Sequence, residues 1–513
     1  MKRRHFIAAS ALPLLGCAGP EDIAGGFAGV NTERGHMLRD SKLWAKPPQL
    51  RKAQVLIAGG GVAGLAAARA LRLKGIDDFA LLELEDTVGG NSRGGAVNGI
   101  ACPLGAHYLP LPGDAAPEVQ DLLEELGLRR RVAGRWQYDE RHLCHSPQER
   151  LFFNGAWQDG LLPLQDVGPD TLAQYRKLSL LVEQLRKRSR WSIPAARQPL
   201  DSAQLALSAI TFASYLDQQG LNDRHLRWYL DYCCRDDYGA SSAVVSAWAG
   251  IHYFASRHGF NDPGTPTQER EALLTWPEGN AWLIRRMAAP LGERVHTARV
   301  ILRIASVQRG VEVDAFNART QTLERWQAQR AIVALPLLVA ARVTEAAPDF
   351  LRQAASQIRY APWLVANIHV REALFDRPGP APSWDNVLYG APGLGYVDAS
   401  HQNLQAVPGA TVLSYYRALG DLAQGRRLLL NRPWSAWRDD ILAELSVAHP
   451  DLLRKTSRLD ISRYGHAMAV PVPLQTHQQR PQVLSHDHLS FAHSDWAGYS
   501  IFEEAFTMGH YAA

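Results

Sequence analysis

The chain is short of cysteine, of net charge and of long apolar runs, and each shortage narrows what it can be. Five cysteines stand in 513 residues, none of them two residues apart from another. That spacing excludes a zinc ribbon and a C-x-x-C redox pair. The adjacent Cys233 and Cys234 are read first as two small buried residues on a helix, with a redox pair as the alternative. His142, His145, His486 and His488 cluster in the sequence, but no histidine pair shows helical i, i+4 spacing with a supporting carboxylate, so no metal is expected. Lysine and arginine exceed the acids by only +4, and Lys2, Arg3 and Arg4 supply three of those charges. So weak a field gives no reason to expect nucleic acid as a partner. Beyond the first 17 residues no stretch approaches the ~18 apolar residues of a spanning helix, and neither an internal repeat nor a low-complexity tract is present. What remains is an ordinary globular composition, 46% hydrophobic and 21% charged, on a chain too long for one core.

Against these absences stands a glycine-rich turn in a specific context. Val55 to Ala58 is a short apolar run of the kind that forms a buried parallel strand. Gly59 makes the tight turn, Gly61 lets backbone approach a pyrophosphate, and Gly64 lets the next helix pack close. That helix, Ala- and Leu-rich from Val62 through Ala63 to Lys74, directs its N-terminal N–H groups at phosphate. A second apolar run, 79–82, ends in Glu83, placed to accept hydrogen bonds from a ribose hydroxyl, with Leu84 beside it. Strand, glycines, helix and acid together specify dinucleotide binding.

Further motifs follow in a fixed order: Val88-Gly89-Gly90-Asn91-Ser92-Arg93, Gly105-Ala106-His107, Pro277-Glu278-Gly279, Val295 to Val300, 331–336, and Ser494-Asp495 with Ala505 and Gly509 beyond. With this set the chain resembles the flavin amine oxidase superfamily, the monoamine and polyamine oxidases and phytoene-desaturase-like enzymes, over residues 53–513. The resemblance implies an α/β fold: a Rossmann-like FAD-binding domain built from discontinuous segments (52–112, 270–345 and 458–513), with an inserted α+β substrate domain (113–269 and 346–457). It implies non-covalent FAD held by Gly59, Gly61, Val62, Ala63, Gly64, Glu83, Leu84, Gly89, Gly90, Asn91, Ser92, Arg93, Gly105, Ala106, Val300, Ser494 and Asp495. Trp496-Ala497-Gly498-Tyr499 resembles a family segment whose tyrosine forms one wall of an aromatic cage, with Trp384, Tyr389 or Tyr396 as opposite walls. His107 is the candidate general base or substrate-orienting group, and it and Tyr499 are the candidate catalytic residues.

Two departures carry meaning. Many amine oxidases place a lysine on the strand that corresponds to 364–370, where this chain has Ala366-Asn367. Asn91 also replaces the usual arginine after Gly-Gly. The missing lysine leaves the electron acceptor open among oxygen, a quinone and a protein. The implied reaction is hydride transfer from a small amine or related substrate to the flavin. A desaturase of an apolar substrate and a non-turnover flavoprotein partner of envelope proteins are the competing readings.

The N-terminus adds a location. Lys2-Arg3-Arg4-His5-Phe6-Ile7 resembles a twin-arginine signal, and Leu14-Leu15-Gly16-Cys17 a lipoprotein cleavage site. Residues 1–17 are thus expected to direct folded export to the periplasm or cell envelope, with lipidated Cys17 anchoring the protein to a membrane. Residues 18–51, with Gly25-Gly26 and Pro47-Pro48, read as a tether.

Overall fold

A computed structural model describes residues 23–39, 48–144, 148–263, 272–402, 407–421, 423–473 and 484–513. Cys17, the signal motifs and His145 lie outside the described residues.

The apolar runs Val55–Ala58 and Phe79–Leu82 are buried at every position, so they occupy the middle of a sheet covered on both faces. The six strands run in the order Val295–His296, Phe79–Leu82, Val55–Ala58, Arg330–Val333, Leu489–Phe491 and Ser485–His486. All neighbours are parallel except the last pair. Val55 and Ile57 point toward the helices Val62–Leu73 and Phe502–Ala512, whose Leu65 and Phe506 share their core. Leu56 and Ala58 point the other way, against Val313 and Trp326 of a four-stranded sheet. That sheet is made of Arg299–Val307, Gly310–Asn317, Thr322–Ala328 and Gln49–Lys52. The side-chain alternation of a strand, one face per parity, thus builds both halves of this core.

A second, eight-stranded sheet has its long strands Arg359–Val370 and Thr456–Val470 antiparallel and adjacent. Glu149–Phe153 and Ala156–Asp159 close its far edge. Helices Pro169–Arg188, Arg224–Tyr238 and Ala247–Ala255 pack over it around Tyr175, Leu230, Trp248 and Val365. Arg224–Tyr238 and Ala247–Ala255 are two helices because Gly239 takes the left-handed conformation (φ 73°) and ends the first.

Three boundaries differ from the sequence reading. Thr456–Val470 belongs to the eight-stranded sheet, so the terminal flavin segment starts after it and not at 458. Helix Pro117–Glu125 packs Val119, Leu122 and Leu123 into the flavin-domain core, although it follows residue 112. Within the expected tether, Ala24–Phe27 pairs in parallel with Thr456–Val470, and Gln49–Lys52 pairs with Thr322–Ala328. Backbone ladders make these pairings, and hydrophobic patterning does not announce them.

Candidate active site

The glycines of the first turn are fixed by contact. A Cβ on Gly59 (φ 106°) would lie 2.3 Å from the Ala334 carbonyl oxygen, and one on Gly64 would lie 1.9 Å from that of Gly59. Helix Val62–Leu73 starts at Gly61 without a side-chain cap, leaving its positive end to the groove. Glu83 accepts the Gly60 N–H at 2.8 Å and the Glu85 N–H at 2.8 Å. Burial raises its carboxyl above the usual range against those two bonds. The second turn docks on the first through Gly89 N–H to the Gly60 carbonyl, 2.8 Å.

Residues 59–63, 83–84, 89–92, 105–107, 300 and 494–495 line one groove of about 480 Å³. Local motifs scattered along the chain thus converge on one site. Gly64 and Arg93 are not in its wall. Gly64 sets the strand-to-helix approach, and Arg93 braces the second turn by donating to the Gly90 carbonyl at 3.2 Å and pairing with Glu85 at 3.4 Å. Asp495 lines the groove, but its Oδ2 accepts from the Leu337 N–H at 3.0 Å and the Tyr360 hydroxyl at 2.5 Å. Burial alone would raise its carboxyl, yet His493, Tyr360 and the Leu337 amide hold it below the usual range. The groove suits a dinucleotide. Its floor is glycine where a Cβ would clash, and Asn280 presents a buried Oδ1 that has no hydrogen-bond partner. Bound FAD would be held by the two turns and Glu83, and would supply the two-electron acceptor.

A second cavity of about 380 Å³ adjoins the groove, and His107, Tyr108, Pro110, Asp236, Arg257 and Tyr416 belong to both walls. Sequence reading singled out only His107 among them. His107 lies 4.4 Å from the Tyr416 ring and 5.4 Å from Trp384, centroid to centroid. Tyr416 is fixed by donating its hydroxyl to the Gly105 carbonyl at 2.9 Å. Burial lowers the His107 imidazole to about 4. It is therefore neutral near pH 7, a weak base whose ring can serve as a wall and hydrogen-bonding group that orients a substrate.

The rest of the second cavity sets acids among apolar side chains such as Leu161, Phe254 and Val397. Glu149, Asp159, Asp236, Asp262 and Asp385 face Arg257 and His258, and Arg257 is already paired with Asp237 at 3.1 Å. Glu149 and Asp385 are register partners on parallel strands. Burial first, then the charges of Asp236 and Glu149, push the Asp385 carboxyl well above its ordinary range. Burial and Asp237 raise that of Asp236 to about 7. These acids come from separate strands, a helix and a loop, and no sequence spacing joins them.

Tyr499 departs from the expectation. It is 1% exposed, donates to Glu504 Oε1 at 2.7 Å, and packs on His252 and Trp248 outside the groove wall. The left-handed Gly498 (φ 82°) turns the chain so that the side chain points inward. Of the proposed opposite walls, Trp384 and Tyr396 line the second cavity, whereas Tyr389 bonds to His225 elsewhere, 3.0 Å. Trp363 and Val365 of strand Arg359–Val370 face the groove. Asn367, near the family's lysine position, is buried between the Pro103 carbonyl and Ser414. Among the described residues no lysine lines either cavity. Burial raises the thiols of Cys102 and Cys144 to about 12, and those of Cys233 and Cys234 also rise. No group of residues suited to a metal ion occurs among the described residues, and no helix there is long and apolar enough to cross a membrane.

Known proteins share this architecture. Putrescine oxidase bound to putrescine superposes with TM-score 0.65 at 17% identity, covering 90% of this chain and 98% of that one. Cyclohexylamine oxidase from Brevibacterium oxydans superposes with TM-score 0.65 at 18% identity over the same shares. In sequence, a flavin-containing amine oxidase of Oncorhynchus mykiss is 24% identical over 304 residues, 55% of this chain and 50% of that protein. Protoporphyrinogen oxidase 2 of Arabidopsis thaliana is 40% identical over 76 residues, 15% of this chain and 14% of that protein. The curated relatives are therefore matched over half their length or less. The flavin containing amine oxidoreductase family model matches residues 62–513, and the chain belongs to that family as an FAD-dependent oxidoreductase.

Proposed function

We propose that this protein oxidises a small cationic amine to its imine, with two electrons and a proton passing as hydride to the flavin. The acidic cavity beside the groove carries this reading. Glu149, Asp236 and Asp385 crowd one wall, where like charges raise each other's proton affinity. An ammonium guest relieves that repulsion, and an apolar desaturase substrate would not. His107, Tyr416 and Trp384 supply ring faces at the junction, which favour a cation. Asp236, in the walls of both cavities, is placed to take the ammonium proton before the carbon is oxidised. His107 orients the neutral amine.

Anaerobic addition of monoamines and diamines to the flavin-loaded protein tests this. Rapid bleaching of the flavin spectrum is expected. Readmitted oxygen then separates an oxidase from a dehydrogenase that uses a quinone or protein acceptor. Bound flavin that no amine reduces would remove the amine reading.

The N-terminal motifs support placement in the cell envelope on a lipidated Cys17. Labelled palmitate should enter the wild-type protein and not Cys17→Ser. Equal labelling of both would end this proposal.

A further inference from the structure

The segment 24–39 precedes the stretch matched by the family model, which begins at residue 62, yet it is built into the dinucleotide groove. Strand Ala24–Phe27 is zipped to Thr456–Val470, and Ala28 N–H continues the ladder to the Ile461 carbonyl at 2.9 Å. A Cβ on Gly25 (φ 141°) would sit 1.9 Å from the Leu459 carbonyl oxygen, so only glycine permits that approach. The chain then crosses to the loop after Glu83. Asn31 N–H donates to Glu85 Oε1 at 3.0 Å, and Arg34 donates to the Leu84 carbonyl at 3.2 Å and to Asp86 at 3.0 Å. Past the helix Thr32–His36, the Leu38 carbonyl accepts from Arg342 at 3.2 Å. Leu38, Met37 and Leu84 pack together against the cluster of Val300 and Phe316, and Leu38 lines the groove.

We infer that Leu38 is a cofactor-binding residue, the wall of the adenine end of the FAD site, held there by a strap formed from residues 24–39. Glu83 fixes the direction of the groove: the ribose acid of a Rossmann turn stands between pyrophosphate and adenine. Leu84 follows Glu83, the Arg299 N–H beside Val300 donates to the Glu83 carbonyl at 2.8 Å, and Leu38 joins Leu84 and Val300 in one apolar cluster on the groove wall. An apolar side chain there covers a flat heteroaromatic ring and excludes water from it. The strap also reaches the pyrophosphate end, because Glu85, which holds Asn31, holds Arg93 as well, and Arg93 holds the Gly90 carbonyl.

The test uses the full chain with Leu38→Ala and, separately, Arg34→Ala. FAD release from each holoprotein is followed by the rise in free-flavin fluorescence, and the apo-proteins are titrated with FAD and with FMN, which lacks the adenosine half. Release of FAD about tenfold faster is expected in both variants, with a matching loss of FAD affinity. Affinity for FMN should stay within about twofold of wild type. Unchanged FAD release would overturn the inference. So would equal losses for FAD and FMN, since the segment would then merely support the fold. Arg34→Lys, which keeps the charge without the forked donors, should restore part of the retention; no restoration would count against Arg34 as the clasp.

Discussion

Glu149 and Asp385 are register partners on adjacent parallel strands, and both face the cavity that opens beside the flavin groove. Like charges set opposite one another across strands destabilise a sheet. A cationic guest in this cavity would favour the ionised form of both carboxyls. Burial, Asp236 and Glu149 hold the Asp385 carboxyl well above its ordinary range, so Asp385→Asn is expected to change the stability of the free protein by less than about 1 kcal/mol and to weaken amine binding about tenfold. Urea unfolding and a spectral titration of the flavin with putrescine read the two effects. Loss of stability together with unchanged amine affinity would remove the acids from substrate recognition.

Asp236 gives the site a pH dependence with a definite sign. Burial, then the charge of Asp237, lift its carboxyl from 3.8 to about 7. Between those values the folded protein keeps a proton that the unfolded chain has released. This group's stabilisation is thus complete below the lower value and disappears as pH rises through about 7. Amine binding runs the opposite way, because the ionised carboxylate attracts the ammonium. Melting temperature should fall, and amine affinity rise, across that interval. Asp236→Asn should flatten both curves when they are measured over roughly pH 5 to 9. Wild-type curves with no inflection there would exclude Asp236 as the titrating group.

Tyr499→Phe separates a core residue from a cage residue. The hydroxyl donates to buried Glu504, which also accepts from the Ala195 N–H. Removing it leaves the carboxylate one donor short, which costs about 1–3 kcal/mol. Lower stability in urea with little change in flavin reduction by amines is expected. A large loss of reduction rate at unchanged stability would return Tyr499 to the substrate wall.

The contrast between these residues explains what the sequence could disclose. The dinucleotide cradle was legible because each part is local: a four-residue strand, glycines at fixed offsets, an acid at the next strand end. Tyr499 was misplaced because its direction depends on the single left-handed Gly498 and on a carboxylate five residues ahead. Residues 24–27, Ala-Gly-Gly-Phe, have no apolar pattern and join the sheet through a backbone ladder, with the Phe27 ring under Arg463 of the paired strand. The acidic cavity was illegible for a third reason. Its register pair Glu149–Asp385 exists only once two distant strands have found each other.

Gly509 ties the end of the chain to the first turn of the cofactor helix. A Cβ there would lie 1.9 Å from the Ala63 carbonyl oxygen, 2.7 Å from its carbon and 2.9 Å from its Cα. All three are backbone atoms, so no rotamer change relieves the clash. In an exposed helix, alanine is favoured over glycine by about 1 kcal/mol. Gly35, in the helix Thr32–His36, is such a position, with no atom within 4 Å of a built Cβ. Gly35→Ala should therefore be neutral or stabilising. At Gly509 the sign reverses, since overpacking of this kind costs about 1–3 kcal/mol. The strain falls on Ala63, which lines the groove. Gly509→Ala should melt at a lower temperature and retain less FAD, read as the ratio of flavin to protein absorbance, while Gly35→Ala keeps both. Full flavin content and unchanged melting in Gly509→Ala would mean that the C-terminal helix only covers the cradle and does not hold it in shape.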